Sequence, residues 1–139
     1  MNLLSLLRKL FIGTIDVPSP RDLIPQNNIV YLEDKELIVI SHIKPKVWLT
    51  TVLDTNSMDP LVDAKHTCIL ISSFKKSDLA VGDIIVYWDG HQDIIHRIIK
   101  IDEDEAGRRY KLKGDNCFQA DNFIVRDFQI KWLLIGVIY

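Results

Sequence analysis

Three short blocks of this sequence hold residue types that could together cleave an acyl bond. They are Asn56-Ser57-Met58-Asp59-Pro60, then Gly82-Asp83-Ile84-Ile85-Val86 leading on to His96-Arg97, then Lys113-Gly114-Asp115-Asn116 with Asp121 just beyond. A serine hydroxyl is a poor nucleophile at neutral pH and needs a base within hydrogen-bond reach to take its proton as it attacks a carbonyl. His96 is the best-suited base, because imidazole titrates near neutrality and can hand the same proton on to a leaving amine. A carboxylate would then fix the ring's tautomer and stabilise the imidazolium that forms. Two aspartates compete for that role: Asp115, on a turn, and Asp121, six residues later. Singly, each residue has an ordinary explanation. Serine before methionine is commonplace, a histidine between isoleucines is usually a satisfied core or surface group, and Gly-Asp-Asn is a common turn. The order and setting of the three blocks are what point to a site.

The elements that must position these residues read as strands. Segments 28–32, 36–41, 46–53, 67–72, 83–88, 93–101, 109–113 and 132–139 are short, rich in Ile, Val and aromatics, and separated by turn residues. The fold class is therefore mostly β and antiparallel, a folded and partly closed sheet assembly. Segments 75–78 and 102–107 are expected as loops, and the acidic stretches 33–36 and 102–105 as solvated turns. On the strand carrying Asp93-Ile94-Ile95-His96-Arg97-Ile98-Ile99, alternation puts Ile94, His96 and Ile98 on one side and Ile95, Arg97 and Ile99 on the other. His96 would thus project from an apolar face. Met58 is expected as packing beneath the nucleophile, and Pro60 as the residue that fixes the chain after it.

A length of 139 residues with 47% hydrophobic content fits one domain with a real core. The net charge of −2 supplies no basic field, which argues against nucleic acid as a partner. Met1 to Ile12 place Asn2, Ser5, Arg8 and Lys9 on one helical stripe and Leu3, Leu4, Leu6, Leu7, Leu10, Phe11 and Ile12 on a wide apolar face. This predicts a short amphipathic helix over 1–13, a linker over 14–27 and a single β-rich peptidase domain over 28–139. The helix is too short to span a bilayer, which takes about 20 apolar residues. It could rest in a membrane interface, or pack on the domain or a second copy as in a homodimer; packing is favoured because buried helices are commoner. A cytoplasmic or membrane-peripheral location is favoured on this reading. His42, His66 and His91 are weaker candidates, the latter two expected to face solvent. No cluster has metal-ligand spacing, so neither metal nor cofactor is called for. Cys68 and Cys117 read as free thiols.

From Val47 to the C-terminus the three blocks resemble the signal peptidases and LexA-type self-cleaving repressor peptidases. Their shared signature is a Ser-Met pair at the end of a strand, a Gly-Asp-φ-φ-Val strand (φ an apolar residue) and then the general base. The Ser-Met-x-Pro form, His-Arg in place of a lysine, and Lys-Gly-Asp-Asn look most like the archaeal and endoplasmic-reticulum branch of signal peptidases. The resemblance implies the folded β assembly of that family, Ser57 and His96 as the catalytic pair, and Asp121 as the orienting acid. Asp115, Met58 and Arg97 are then supporting residues. It also implies small residues just before the cut, in a peptide or preprotein substrate. The chain departs from the family in Cys117-Phe118-Gln119-Ala120, where more polar residues are usual, and in the lack of a spanning helix.

Three accounts follow. The leading one is a serine endopeptidase of signal-peptidase type that acts in trans. The second is a soluble regulatory protein that cuts its own arm, for which Ile12-Gly13 holds the only glycine upstream of Ser57, in an unfavourable pairing. The third is a catalytically inactive domain that binds peptides as an added strand or dimerises.

Overall fold

The computed structural model of the protein describes residues 17–43 and 46–139. The expected amphipathic helix over 1–13 lies outside them. The described chain is mostly β and antiparallel, with short 3₁₀ turns as its only helical elements. Strands β1 (Ile29–Leu32) and β2 (Leu37–Ile40) form a hairpin of their own. The others are β3 (Val47–Thr50), β4 (Thr67–Ile71), β5 (Ile84–Trp88), β6 (Asp93–Asp104), β7 (Gly107–Lys113), β8 (Val125–Arg126) and β9 (Ile130–Ile138). These seven make one sheet in the order β3-β4-β9-β5-β6-β7-β8. No helix among the described residues is long and apolar enough to cross a membrane.

Alternation along the central strand builds the core on both faces. On β5, Ile85 and Tyr87 join a buried cluster with Ile98, Tyr110, Leu112, Val125 and Leu133. Ile84 and Val86 point the other way, toward Met58, Val62, Cys68, Leu70 and Leu134. A strand covered on both faces can carry no polar face, which is why β5 reads as a continuous apolar run.

Three expectations are corrected. Segment 102–107 is not a loop: β6 runs on to Asp104 and β7 begins at Gly107. The acidic residues there pair across the hairpin, Asp102 opposite Arg109 and Glu103 opposite Arg108, and Arg109 Nε donates to Asp102 at 2.6 Å. Cross-strand opposite charges stabilise a ladder that local composition reads as a turn. The strand expected over 46–53 stops at Thr50, so Ser57 sits in a turn rather than at a strand end. His66 is half-buried rather than facing solvent, its Nδ1 accepting the Asp63 N–H at 3.1 Å and its ring edge-on to Tyr139.

Of the stretch expected as a linker over 14–27, residues 14–16 lie outside the described residues, and the chain is bound to the domain from Pro18 onward. Arg21 pairs with the fully buried Asp83 through two hydrogen bonds, Nε to Oδ1 at 3.1 Å and Nη2 to Oδ2 at 2.5 Å. Asp83 raises the Arg21 pKa further above its already high value, chiefly through that hydrogen bond. Gly82, at φ +101°, admits this strap: a Cβ there would fall 2.0 Å from the Ser19 carbonyl oxygen.

Candidate active site

His96 stands where β6 changes partners. Residues 93–96 pair with β5 alone, and β7 joins only from Arg97, opposite Lys113. The chain leaving β7 is therefore free to fold across the His96 side, and it returns with the Asp121 N–H donating to the Leu112 carbonyl at 2.9 Å. That return sets the Asp121 carboxylate on the imidazole, with Nδ1 3.0 Å from both Oδ1 and Oδ2. Facing a carboxylate acceptor, the neutral ring places its proton on Nδ1 and its lone pair on Nε2. Both side chains are nearly buried, 10% exposed for His96 and 13% for Asp121, so little water competes for the pair.

Asp121 is itself held from two other sides. Tyr87 Oη donates to Oδ2 at 2.8 Å, and the Lys111 ammonium donates to the Asp121 carbonyl. Burial, then the bond to Asp121 and its charge, push the Tyr87 phenol far above its usual pKa, so it remains a donor. Neither Tyr87 nor Lys111 stands out in sequence. The one available signal was that a tyrosine inside a fully buried strand needs a partner for its hydroxyl.

Ser57 approaches the same ring from the other side of Gly114. A Cβ built on Gly114 would lie 3.0 Å from His96 Nε2, 2.5 Å from the Ser57 carbonyl oxygen and 2.7 Å from Cys117 Sγ. Only glycine fits between the base and the serine turn. The turn is pinned by Asn116, whose backbone N–H donates to the Ser57 carbonyl at 2.9 Å and whose side chain donates to the Asn56 carbonyl at 3.0 Å. Asn56 takes the left-handed conformation, φ 56°, which asparagine tolerates better than most residues. The Ser57 hydroxyl lies 3.2 Å from Thr55 Oγ1, and among the described residues that is its hydrogen-bond partner. Ser57 and His96 line one cavity of about 370 Å³, together with Met58, Val62, Cys68, Leu70 and Val86.

The remaining sequence candidates fall into place around this centre. Asp115 is taken by Arg97, not His96: Nε donates to Oδ1 at 2.8 Å and Nη2 to Oδ2 at 2.6 Å. Arg97 spends its other amino group on the carbonyls of Gly82, at 2.9 Å, and Pro18, at 3.1 Å. Met58 is buried and its sulfur accepts the Asp115 N–H at 3.4 Å. Both cysteines are free; Cys68 is fully buried, which raises its pKa, and the Cys117 thiol lies 3.9 Å from the Ser57 carbonyl. His91 is exposed, and His42 Nδ1 lies 3.0 Å from Ser41 Oγ; neither is among the residues lining the cavity of Ser57 and His96.

No protein-family model, curated protein or solved structure matches the chain.

Proposed function

We propose that the protein is a serine endopeptidase of the signal-peptidase type, with Ser57 as nucleophile, His96 as general base and Asp121 as the orienting acid. The observation that carries this reading is the His96–Asp121 pair, held at 3.0 Å with Nε2 turned toward the Ser57 turn. In the reaction Ser57 Oγ leaves Thr55 and comes to about 2.6–3.2 Å from Nε2, the reach proton transfer needs. It attacks the peptide carbonyl as its proton passes to Nε2, and Asp121 balances the imidazolium. The Ser57 N–H has no hydrogen-bond acceptor among the described residues, so it is available to the oxyanion. The tetrahedral adduct collapses as His96 protonates the leaving amine, and water then hydrolyses the acyl-serine with His96 again as base. The antiparallel sheet is compatible with the LexA and signal-peptidase plan that the sequence resembles, and peptide or preprotein segments are the substrates. Contact of residues 1–12 with a membrane surface or a second copy belongs to the same proposal.

The test is to incubate wild-type and Ser57→Ala protein with a mixed-sequence peptide pool that includes Ala-x-Ala sites, with and without detergent micelles. Mass spectrometry then reads both peptide and protein fragments. Cutting that depends on Ser57 is the expected result, and equal turnover by the two proteins, or none, would sink the proposal. Protein fragments without peptide fragments would mean self-cleavage instead.

One observation favours a second reading, a peptide-binding domain without the reaction: the Ser57 hydroxyl is engaged with Thr55 rather than His96. That reading predicts peptide binding that survives joint replacement of Ser57, His96 and Asp121.

A further inference from the structure

The cavity beside Ser57 is larger and more apolar than a preference for small residues requires. Its floor is Met58, Val62, Cys68, Leu70 and Val86, all buried, and its polar lining comes from Ser57, His96, Asn56, Gln92, Asp93 and the threonines at 50, 51 and 55. The one formal charge on its lining, apart from His96 when protonated, is Asp93, and Lys131 Nζ already neutralises that carboxylate at 2.6 Å. About 370 Å³ is more than twice a cavity of about 150 Å³ that stays dry and takes up benzene. An alanine methyl would leave most of this volume unfilled.

The space has a local origin. Thr50 on β3 and Cys68 on β4 are directly paired across the ladder, and both line the cavity. Two short side chains at facing positions leave open what a Leu or Ile pair would fill. Thr50 Oγ1 donates to the Thr51 carbonyl at 3.1 Å, so this hydroxyl is turned to the backbone and is not a free donor toward a substrate side chain.

Resting on the proposed role of Ser57, we infer that this site selects substrates with a bulky apolar residue, leucine or phenylalanine in class, immediately before the scissile bond. Thr50 and Cys68 set that specificity by leaving room for it. The side chain enters the cavity while its carbonyl meets Ser57, and segment 50–55 forms the wall along which the extended substrate runs.

The experiment uses the full chain and short fluorescent peptides that differ only in that residue: Ala, Val, Leu or Phe. Two readouts are taken, kcat/KM with wild-type protein and binding to Ser57→Ala protein by fluorescence anisotropy. A methylene in an apolar pocket is worth about tenfold or more in discrimination, so Leu should exceed Ala by at least about 10-fold in both. Thr50→Leu should shrink that ratio to about one or invert it. Cys68→Val is the milder variant that keeps the test alive if Thr50→Leu does not fold. An Ala peptide that is cut and bound as well as the Leu peptide overturns this inference and leaves the peptidase reading standing. Leu-selective binding that responds to Thr50→Leu, with no peptide cut, upholds the inference and overturns the peptidase reading. Absence of binding by every peptide overturns the inference.

Discussion

His96 and Arg97 are neighbours on β6, each is matched to an aspartate from the chain that follows β7, and the two pairs are built for different work. Arg97 is almost fully engaged: its guanidinium is bidentate on Asp115 and also bonds two backbone carbonyls. Nothing is left to react, and the pair ties the strap, β6 and the Asp115 turn together. His96 commits one nitrogen to Asp121 and leaves the other beside the serine turn. The lesson is that an almost fully partnered ion pair fixes geometry, whereas a half-partnered one can move a proton. Alternation on one strand delivers both, because adjacent residues face opposite sides.

The comparison breaks most severely if Asp121 is no more than structural. Asp121→Asn should lower peptide hydrolysis by about 10⁴-fold, because the amide holds the wrong imidazole tautomer, while thermal unfolding moves little. Steady-state kinetics beside a melting curve check this. The converse holds for Arg97→Met, which strands the Asp115 carboxylate and should cost about 3–5 kcal/mol of stability in urea titration. Activity per folded molecule should fall far less than for Asp121→Asn; the opposite ranking would erase the distinction between the pairs.

Gly114→Ala sharpens the picture at the contact between base and nucleophile. The added methyl must displace the Ser57 carbonyl or the His96 ring, and a shift of about 1 Å should reduce kcat about 10²-fold. A variant with wild-type kcat would mean that Ser57 and His96 do not act together. The smallest effect concerns the exposed corner of β6, β7 and β8, where Arg126 hydrogen-bonds to Asp104 and holds its carboxyl down at about 2, below the usual 3.8. A carboxylate depressed on folding contributes stability above its unfolded pKa and loses it as pH falls through the folded value. Stability from this corner should therefore fade between about pH 4 and pH 2, and Asp104→Asn should flatten that part of an acid titration.

Much of this arrangement is legible in the sequence because strands advertise themselves by alternation. All eight expected strand segments differ from observed strands only by trimming or extension of a few residues at their ends, but the ninth strand, β8, two residues long, gave no pattern to detect. Only the far end of the β6–β7 hairpin, expected as a loop over 102–107, was hidden, because its acidic and arginine residues are stabilised across the ladder, a partner that a local window cannot include. At the site, chemistry singled out Ser57, His96 and an aspartate, yet residue types alone could not say which aspartate meets the ring. That depends on β7 ending at Lys113 and the chain turning back by Asp121. Tyr87 and Lys111 act through contacts between distant segments and carried no motif of their own; Gly114 and Asn116 stood in the third block, which did not show that they pack against the serine turn.

The strap fixes where an autonomous folding unit must start. A chain trimmed to begin at Val17 keeps the carbonyl that Arg97 binds and the guanidinium that neutralises Asp83. One trimmed to begin at Gln26, just ahead of the first strand, would leave a fully buried carboxylate without its counter-charge. Truncation at the apparent edge of the sheet should therefore yield an unstable fragment, although every strand would still be present.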